Sequence, residues 1–189
     1  LVCNAGFGIS GAVEFTAYAD AKRQFDVNFF GTSNCIRAAL PEMRRQGSGM
    51  IIVTSSVAGM VSIPFQAYYS ASKAALNSLV LATANEVRPY GVRVAAIMPG
   101  DIKTGFTAAR TKSNAGSSDY AALSKSVATM ERDEQNGMSP DVIARCMYSV
   151  SRKRSPKPLR SVGLQYKACC LLGKFLPCRL SNWIVGKMY

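Results

Sequence analysis

The sequence predicts an α/β fold in which parallel strands form a doubly wound sheet covered by helices on both faces. Two observations lead there. The apolar runs MIIVTSS, residues 50–56, and VRVAAIM, residues 92–98, lack the regular alternation of a half-exposed strand, as expected of strands buried on both sides. The segments preceding each run have helical character over about twenty residues, long enough for the right-handed crossovers that join parallel strands. With 189 residues, 48% of them hydrophobic, the chain can bury one core, and one globular unit is the expectation.

The elements follow in order. Leu-Val-Cys at the start is apolar and runs into Asn4-Ala5-Gly6, so it reads as the end of a strand. Residues 17–45 form a helix, because Phe25, Phe29, Ile36, Leu40 and Met43 recur at three, four and seven. Gln46-Gly47-Ser48-Gly49 stops it, and residues 50–56 make the next strand. A loop through Gly59 and Pro64 leads to a helix over 67–88, which ends because Pro89 lacks a donor and restricts the residue before it. Pro99-Gly100 closes strand 92–98 with a turn, and residues 103–120, rich in Ser, Thr, Ala and Gly, read as a mobile connection. Ser139-Pro140-Asp141 starts another helix, since Ser caps and Pro suits the first helical position. A short strand is expected near residues 160–164. In such a sheet the ligand crevice lies at the carboxyl ends of the strands. Asn4-Ala5-Gly6, Thr54-Ser55-Ser56 and Pro99-Gly100-Asp101 occupy three of those ends.

Composition excludes several chemistries. There is no histidine, so a Ser-His-Asp triad, a His-paired cysteine and a His-Glu-x-x-His zinc site are ruled out. Six cysteines at irregular intervals, without a Cys-x-x-Cys pair, suggest unpaired thiols in a reducing, cytoplasmic setting, and no metal site is expected. No apolar run reaches the length that spans a bilayer. The net charge is +12, yet after Asp141 there is no acid while ten Lys or Arg follow. A basic tail mixed with Leu, Phe and Trp suits an anionic membrane or an acidic substrate as well as it suits phosphates. It lacks the interleaved aromatics and motifs of a nucleic-acid binder, so no nucleic-acid partner is expected.

Tyr69 and Lys73 stand four apart on the 67–88 helix and therefore share one face. An ammonium beside a phenol favours the phenolate, which suits a general acid or base. Tyr-x-x-x-Lys alone is a weak signal. Asn4-Ala5-Gly6, Asn28-Phe29-Phe30-Gly31, Ser55-Ser56 with Ala58-Gly59, Tyr69-Ser-Ala-Ser-Lys73 and Pro99-Gly100-Asp101-Ile102-Lys103-Thr104 add to it. In order and spacing these elements resemble the short-chain dehydrogenase/reductase family, strongly over about residues 1–105. In the family the serine lies thirteen positions before the tyrosine, which selects Ser56 over Ser55.

The resemblance implies a Rossmann-like fold and an oxidoreductase that transfers hydride between NAD or NADP and an alcohol or carbonyl substrate. It implies Tyr69 as proton donor or acceptor and Lys73 as the residue that lowers the tyrosine pKa and binds the nicotinamide ribose. Ser56 would orient the substrate oxygen, and Asn28 would hold a water linking Lys73 to solvent. Asn4, Ala5, Gly6, Pro99, Gly100, Ile102 and Thr104 would line the cofactor. Helices 17–45 and 67–88 resemble the family's dimer-forming pair, so a homo-oligomer is expected.

The sequence also departs from the family. Its Gly-rich phosphate loop, Thr-Gly-x-x-x-Gly-x-Gly, has no counterpart here, because Gly6 to Gly11 follow the Asn-Ala-Gly strand instead. By resemblance about three strands would precede Leu1, which leaves residues 1–163 as a partial NAD(P)-binding unit, and the 189 residues alone are expected to bind dinucleotide weakly or not at all. A non-catalytic remnant or nucleotide-sensing protein is the rival reading. Residues 164–189 form an amphipathic basic extension with two apolar stripes: Ala168, Leu171, Leu172, Phe175 and Leu176, then Leu180, Trp183, Ile184 and Met188. Packing as core or as a lid over a lipophilic substrate is one use of it; peripheral membrane attachment is another.

Overall fold

A computed structural model of the chain describes residues 1–113, 115–116 and 118–189. Its strands are β1 (Val2–Cys3), β2 (Ile9–Ser10), β3 (Gly49–Thr54), β4 (Val92–Pro99), β5 (Thr111–Lys112) and β6 (Leu159–Val162). Its helices are α1 (Tyr18–Phe25), α2 (Thr32–Gln46), α3 (Ala67–Val87), α4 (Phe106–Ala109), α5 (Leu123–Gln135), α6 (Pro140–Ser151), α7 (Leu164–Phe175) and α8 (Cys178–Met188). The main sheet has the order β1-β3-β4-β6, all parallel, and β2 pairs in parallel with β5 beside it.

The absence of alternation in the two central strands has the predicted cause. Ile51 and Val53 of β3, with Val92, Val94 and Ala96 of β4, pack towards Ile36 of α2 and Leu76 and Val80 of α3. Ile52, Ala95 and Ile97 face the other way, onto Ile143 and Val150 of α6. Both faces are apolar because both are covered. The chain is thus a three-layer Rossmann-like α/β unit with its strand ends pointing one way.

Helix boundaries agree with the sequence reading where local chemistry dictates them. Gly47 ends α2 at φ 66°, a left-handed conformation glycine adopts without steric cost. Ser139 accepts from the Asp141 amide and starts α6. Two expectations need correction. Residues 17–45 are not one regular helix, because a π-helical segment, Asp26–Gly31, separates α1 from α2. Residues 103–120 are not a bare connection: they hold α4 and β5, and β5 is fixed by pairing with β2. Positions 114 and 117 of that stretch lie outside the described residues. Helix α5, with Leu123, Ser126 and Met130 buried at three and four, was not legible as an element.

Candidate active site

Because β1, β3 and β4 run parallel, their carboxyl ends bring Asn4, Thr54 and Pro99 to one edge of the sheet. The Thr54 hydroxyl donates to Asn4 Oδ1 at 2.7 Å and joins the first two ends. A cavity of about 620 Å³ opens there, bordered by Asn4, Gly6, Ser56, Tyr69, Lys73 and the Pro99–Thr104 turn. Of the residues predicted for the site, Ser56, Tyr69, Lys73, Asn4, Gly6, Pro99, Gly100, Ile102 and Thr104 line it. Ala5 and Asn28 do not.

Asn28 lies behind the wall and is fully buried. Its Oδ1 accepts from the Phe7 amide at 3.0 Å, while Nδ2 donates to the Phe7 carbonyl at 3.0 Å and to the Ser72 hydroxyl at 3.1 Å. Gln24 Nε2 donates to the same carbonyl at 3.0 Å. The π-helical segment carries Asn28 inward, so two helix side chains clamp the turn that follows β1. Gln24 was not found from the sequence, since a buried glutamine on a helix has no motif.

The serine pair divides its work as spacing predicted. Ser55 is buried and its hydroxyl donates to Asn77 Oδ1 at 2.7 Å and to the Lys73 carbonyl at 3.2 Å. It ties β3 to α3. The Ser56 hydroxyl accepts from the Ala58 amide at 3.1 Å and stands near the Tyr69 phenol. Gly59 lets the following turn touch α3, because a Cβ there would fall 2.7 Å from the Lys73 carbonyl carbon.

Lys73 is 4% exposed, and its Nζ donates to the Thr54 carbonyl at 2.8 Å. It lies 5.7 Å from the centroid of the Tyr69 ring. Burial pushes the Lys73 ammonium down from 10.5 to about 8. Enclosure pushes the Tyr69 phenol up to about 12; the Ser56 hydroxyl pulls it back, Glu134 and Asp101 push it further and Arg110 opposes them. Lys73 is not among the causes of the Tyr69 shift, and the expected lowering of the tyrosine pKa does not appear. Burial leads both shifts, so the phenol stays neutral while the lysine keeps its proton below about pH 8.

The segment read as a connection supplies a wall that the sequence did not reveal. The Phe106 ring meets Tyr69 at 5.6 Å between centroids, and the Arg110 guanidinium carbon lies 5.6 Å from the centroid of the same Phe106 ring. Arg110 forms a buried ion pair with Glu134, whose second oxygen accepts from the Thr107 hydroxyl at 2.6 Å. Residues 110 and 134 are far apart in sequence, and no spacing announces such a pair. Across the cavity, the Tyr166 hydroxyl donates to Asp101 Oδ2 at 2.6 Å, and Leu172 of α7, Leu176 of the link after it, and Ile184 and Val185 of α8 contribute to the wall.

The outer stripes of the extension do not point where core packing requires. Leu171, Phe175 and Trp183 are exposed, whereas Cys170 and Val185 face in. No helix is long and apolar enough to cross a membrane, and no cluster of three potential metal ligands occurs among the described residues.

Fold and site together define a Rossmann-type protein with a tyrosine, a lysine and a serine at the mouth of a parallel sheet. The family model described as short chain dehydrogenase matches residues 1–115. The chain belongs to the short-chain dehydrogenase/reductase family. It is 37% identical over 166 residues to 3-ketodihydrosphingosine reductase of Bacteroides thetaiotaomicron, an alignment covering 86% of this chain and 62% of that protein. A short-chain dehydrogenase from Streptomyces avermitilis superimposes with a TM-score of 0.84 at 28% identity, covering 99% of this chain and 68% of that one. A family member from Burkholderia phymatum, solved in complex with NAD, gives a TM-score of 0.76 at 25% identity over 92% of this chain and 63% of that one. The chain thus spans less than two thirds of the length of the reductase it matches.

Proposed function

We propose that the protein is an NAD- or NADP-dependent oxidoreductase that interconverts an alcohol and a carbonyl compound of lipophilic character. One observation carries this reading: Tyr69, Ser56 and Lys73 share the wall of a cavity whose far side is built from apolar residues of α7 and α8. The similarity to a sphingoid-base reductase and to a structure that binds NAD supports it.

The residues fit a nicotinamide dinucleotide. Gly6 leaves the lysine reachable, since a Cβ there would stand 3.4 Å from Lys73 Nζ. Asn4, Ala5, Gly6 and Lys73 would hold one side of the cofactor; Pro99, Gly100, Ile102 and Thr104 would hold the other. When bound, the nicotinamide supplies or accepts the hydride. Tyr69, kept as a neutral phenol, donates its proton to the carbonyl oxygen in reduction and recovers it in oxidation. The Ser56 hydroxyl donates a hydrogen bond to the same oxygen and fixes its position. Lys73 binds hydroxyl groups of the cofactor, and Asn28 acts through the Phe7 turn, with its water-holding role part of the same proposal. The π-helical segment presents Val27 and Phe30, and α3 presents Leu81, to solvent, and we assign the homo-oligomer contact to these helices.

The test is Tyr69→Phe in the intact protein, followed by nicotinamide absorbance with long-chain and cyclic ketones. Turnover is expected to fall by about 100-fold or more while cofactor affinity is kept. Near-normal turnover would overturn the assignment.

A further inference from the structure

Helices α7 and α8 present two unlike sides. Their inner residues Cys169, Ile184 and Val185 border the cavity, with Leu176 of the link between them. On the outside, Leu164, Leu171 and Phe175 follow one another at seven and four along α7, and they are 84%, 58% and 79% exposed. Leu180 and Trp183 continue the surface on α8 at 43% and 61%. A helix that serves only its own core turns such residues inward; here they face solvent.

The charge of the same surface has one sign. Lys167, Lys174, Arg179 and Lys187 lie on these two helices, which carry no Asp or Glu. Lys167 and Lys174 are seven apart and so flank the α7 stripe along one side. Lys187 Nζ stands 6.0 Å from the centroid of the Trp183 ring, placing a cation next to an amphipathic aromatic, the pairing favoured where water meets lipid.

We propose that the outer face of α7 and α8 docks on an anionic lipid bilayer. The helices lie in the headgroup plane, with Leu171, Phe175 and Trp183 entering the acyl boundary and the four cations at the level of the phosphates. A second copy of the chain fits this face poorly. A two-fold contact would set the patch against itself, four cations against four with no acid to neutralise them. Among the described residues no helix is long and apolar enough to cross a membrane, and the docking proposed is peripheral. Docking in this manner brings the cavity wall to the membrane surface, from which a lipophilic substrate would enter. This goes beyond the proposed reaction, and vesicle binding requires neither cofactor nor turnover, so the two readings fail separately.

The experiment is co-sedimentation of the protein with vesicles of phosphatidylcholine alone and with phosphatidylserine added. Binding is expected to be at least about tenfold tighter to the serine-containing vesicles, and to weaken as salt rises. Charge reversal at Lys167 and Lys174 should lower it about tenfold, and F175S with W183S should lower it similarly, whereas Tyr148→Ser on the exposed side of α6 leaves it unchanged. Circular dichroism and melting confirm that each variant is folded; for any that is not, the lipid and salt dependence of the unaltered protein decides. No sedimentation, equal binding to both vesicles, or full binding by the charge-reversed variant would overturn the proposal. So would self-association in solution that W183S abolishes, which would give the face to a second copy.

Discussion

Lys73 Nζ donates a 2.8 Å hydrogen bond to the Thr54 carbonyl oxygen, so a buried ammonium joins the last residue of β3 to the second turn of α3. That single bond does not offset the loss of water. The ammonium titrates at about 8 instead of 10.5. Between these values the unfolded chain binds the proton more strongly than the folded one, and stability rises with pH. Urea denaturation should show an increase of up to about 1.4 kcal/mol per pH unit from pH 8 to 10. Below pH 8 this contribution is flat, and Lys73→Met should remove the slope throughout.

The two serines separate structure from chemistry. Ser55→Ala leaves the buried Asn77 Oδ1 without its 2.7 Å donor and should lower stability by about 1–2 kcal/mol, with turnover little changed. Ser56→Ala should do the reverse and lower turnover by about 100-fold. Denaturation curves and steady-state rates on both variants check the division; equal effects on turnover would erase it.

The Arg110 side chain is fully buried beside Glu134, itself 13% exposed. Glu134→Ala strands that cation and should cost about 3–5 kcal/mol. Replacing both, Arg110→Met with Glu134→Leu, should recover most of the loss, because no charge then remains buried. Thermal unfolding of the single and double variants measures this directly.

Gly59→Ala drives a methyl to 2.7 Å from the Lys73 backbone, and neither the turn nor α3 can yield freely. A loss of about 1–3 kcal/mol, together with reduced turnover, is expected. Gly105→Ala is the control. Its Cβ would meet nothing within 4 Å at a φ of −69°, so stability should change by less than about 0.5 kcal/mol.

The parts of this architecture that local chemistry dictates were legible in the sequence. Ile51, Ile52 and Val53 announce a strand covered on both sides, and Ser139-Pro140 announces a helix start. Tyr69, Lys73 and Ser56 stood out through spacing, and the sheet does bring them to one cavity. What stayed hidden depends on distant partners. Helix α5 hides because Ser126 occupies a buried position where periodicity calls for an apolar residue. The strand β5 exists only through its pairing with β2. The π-helical segment leaves the apolar spacing of its helix almost intact, so Asn28 gave no sign of turning inward. The tail was legible in part: Leu172, Leu176, Ile184 and Met188 of its apolar stripes border the cavity, whereas Leu171, Phe175 and Trp183 face solvent.

A Cβ on Gly100 would fall 2.2 Å from the ring of Tyr166, whose hydroxyl reaches the neighbouring Asp101. The two positions are therefore sterically coupled. Any residue with a side chain at 100 demands a smaller one at 166, and a tail grafted from a relative brings its own requirement for the strand-end turn. Residues 164–189 of this chain, moved onto a relative, should be accommodated only where the position that corresponds to 100 is glycine.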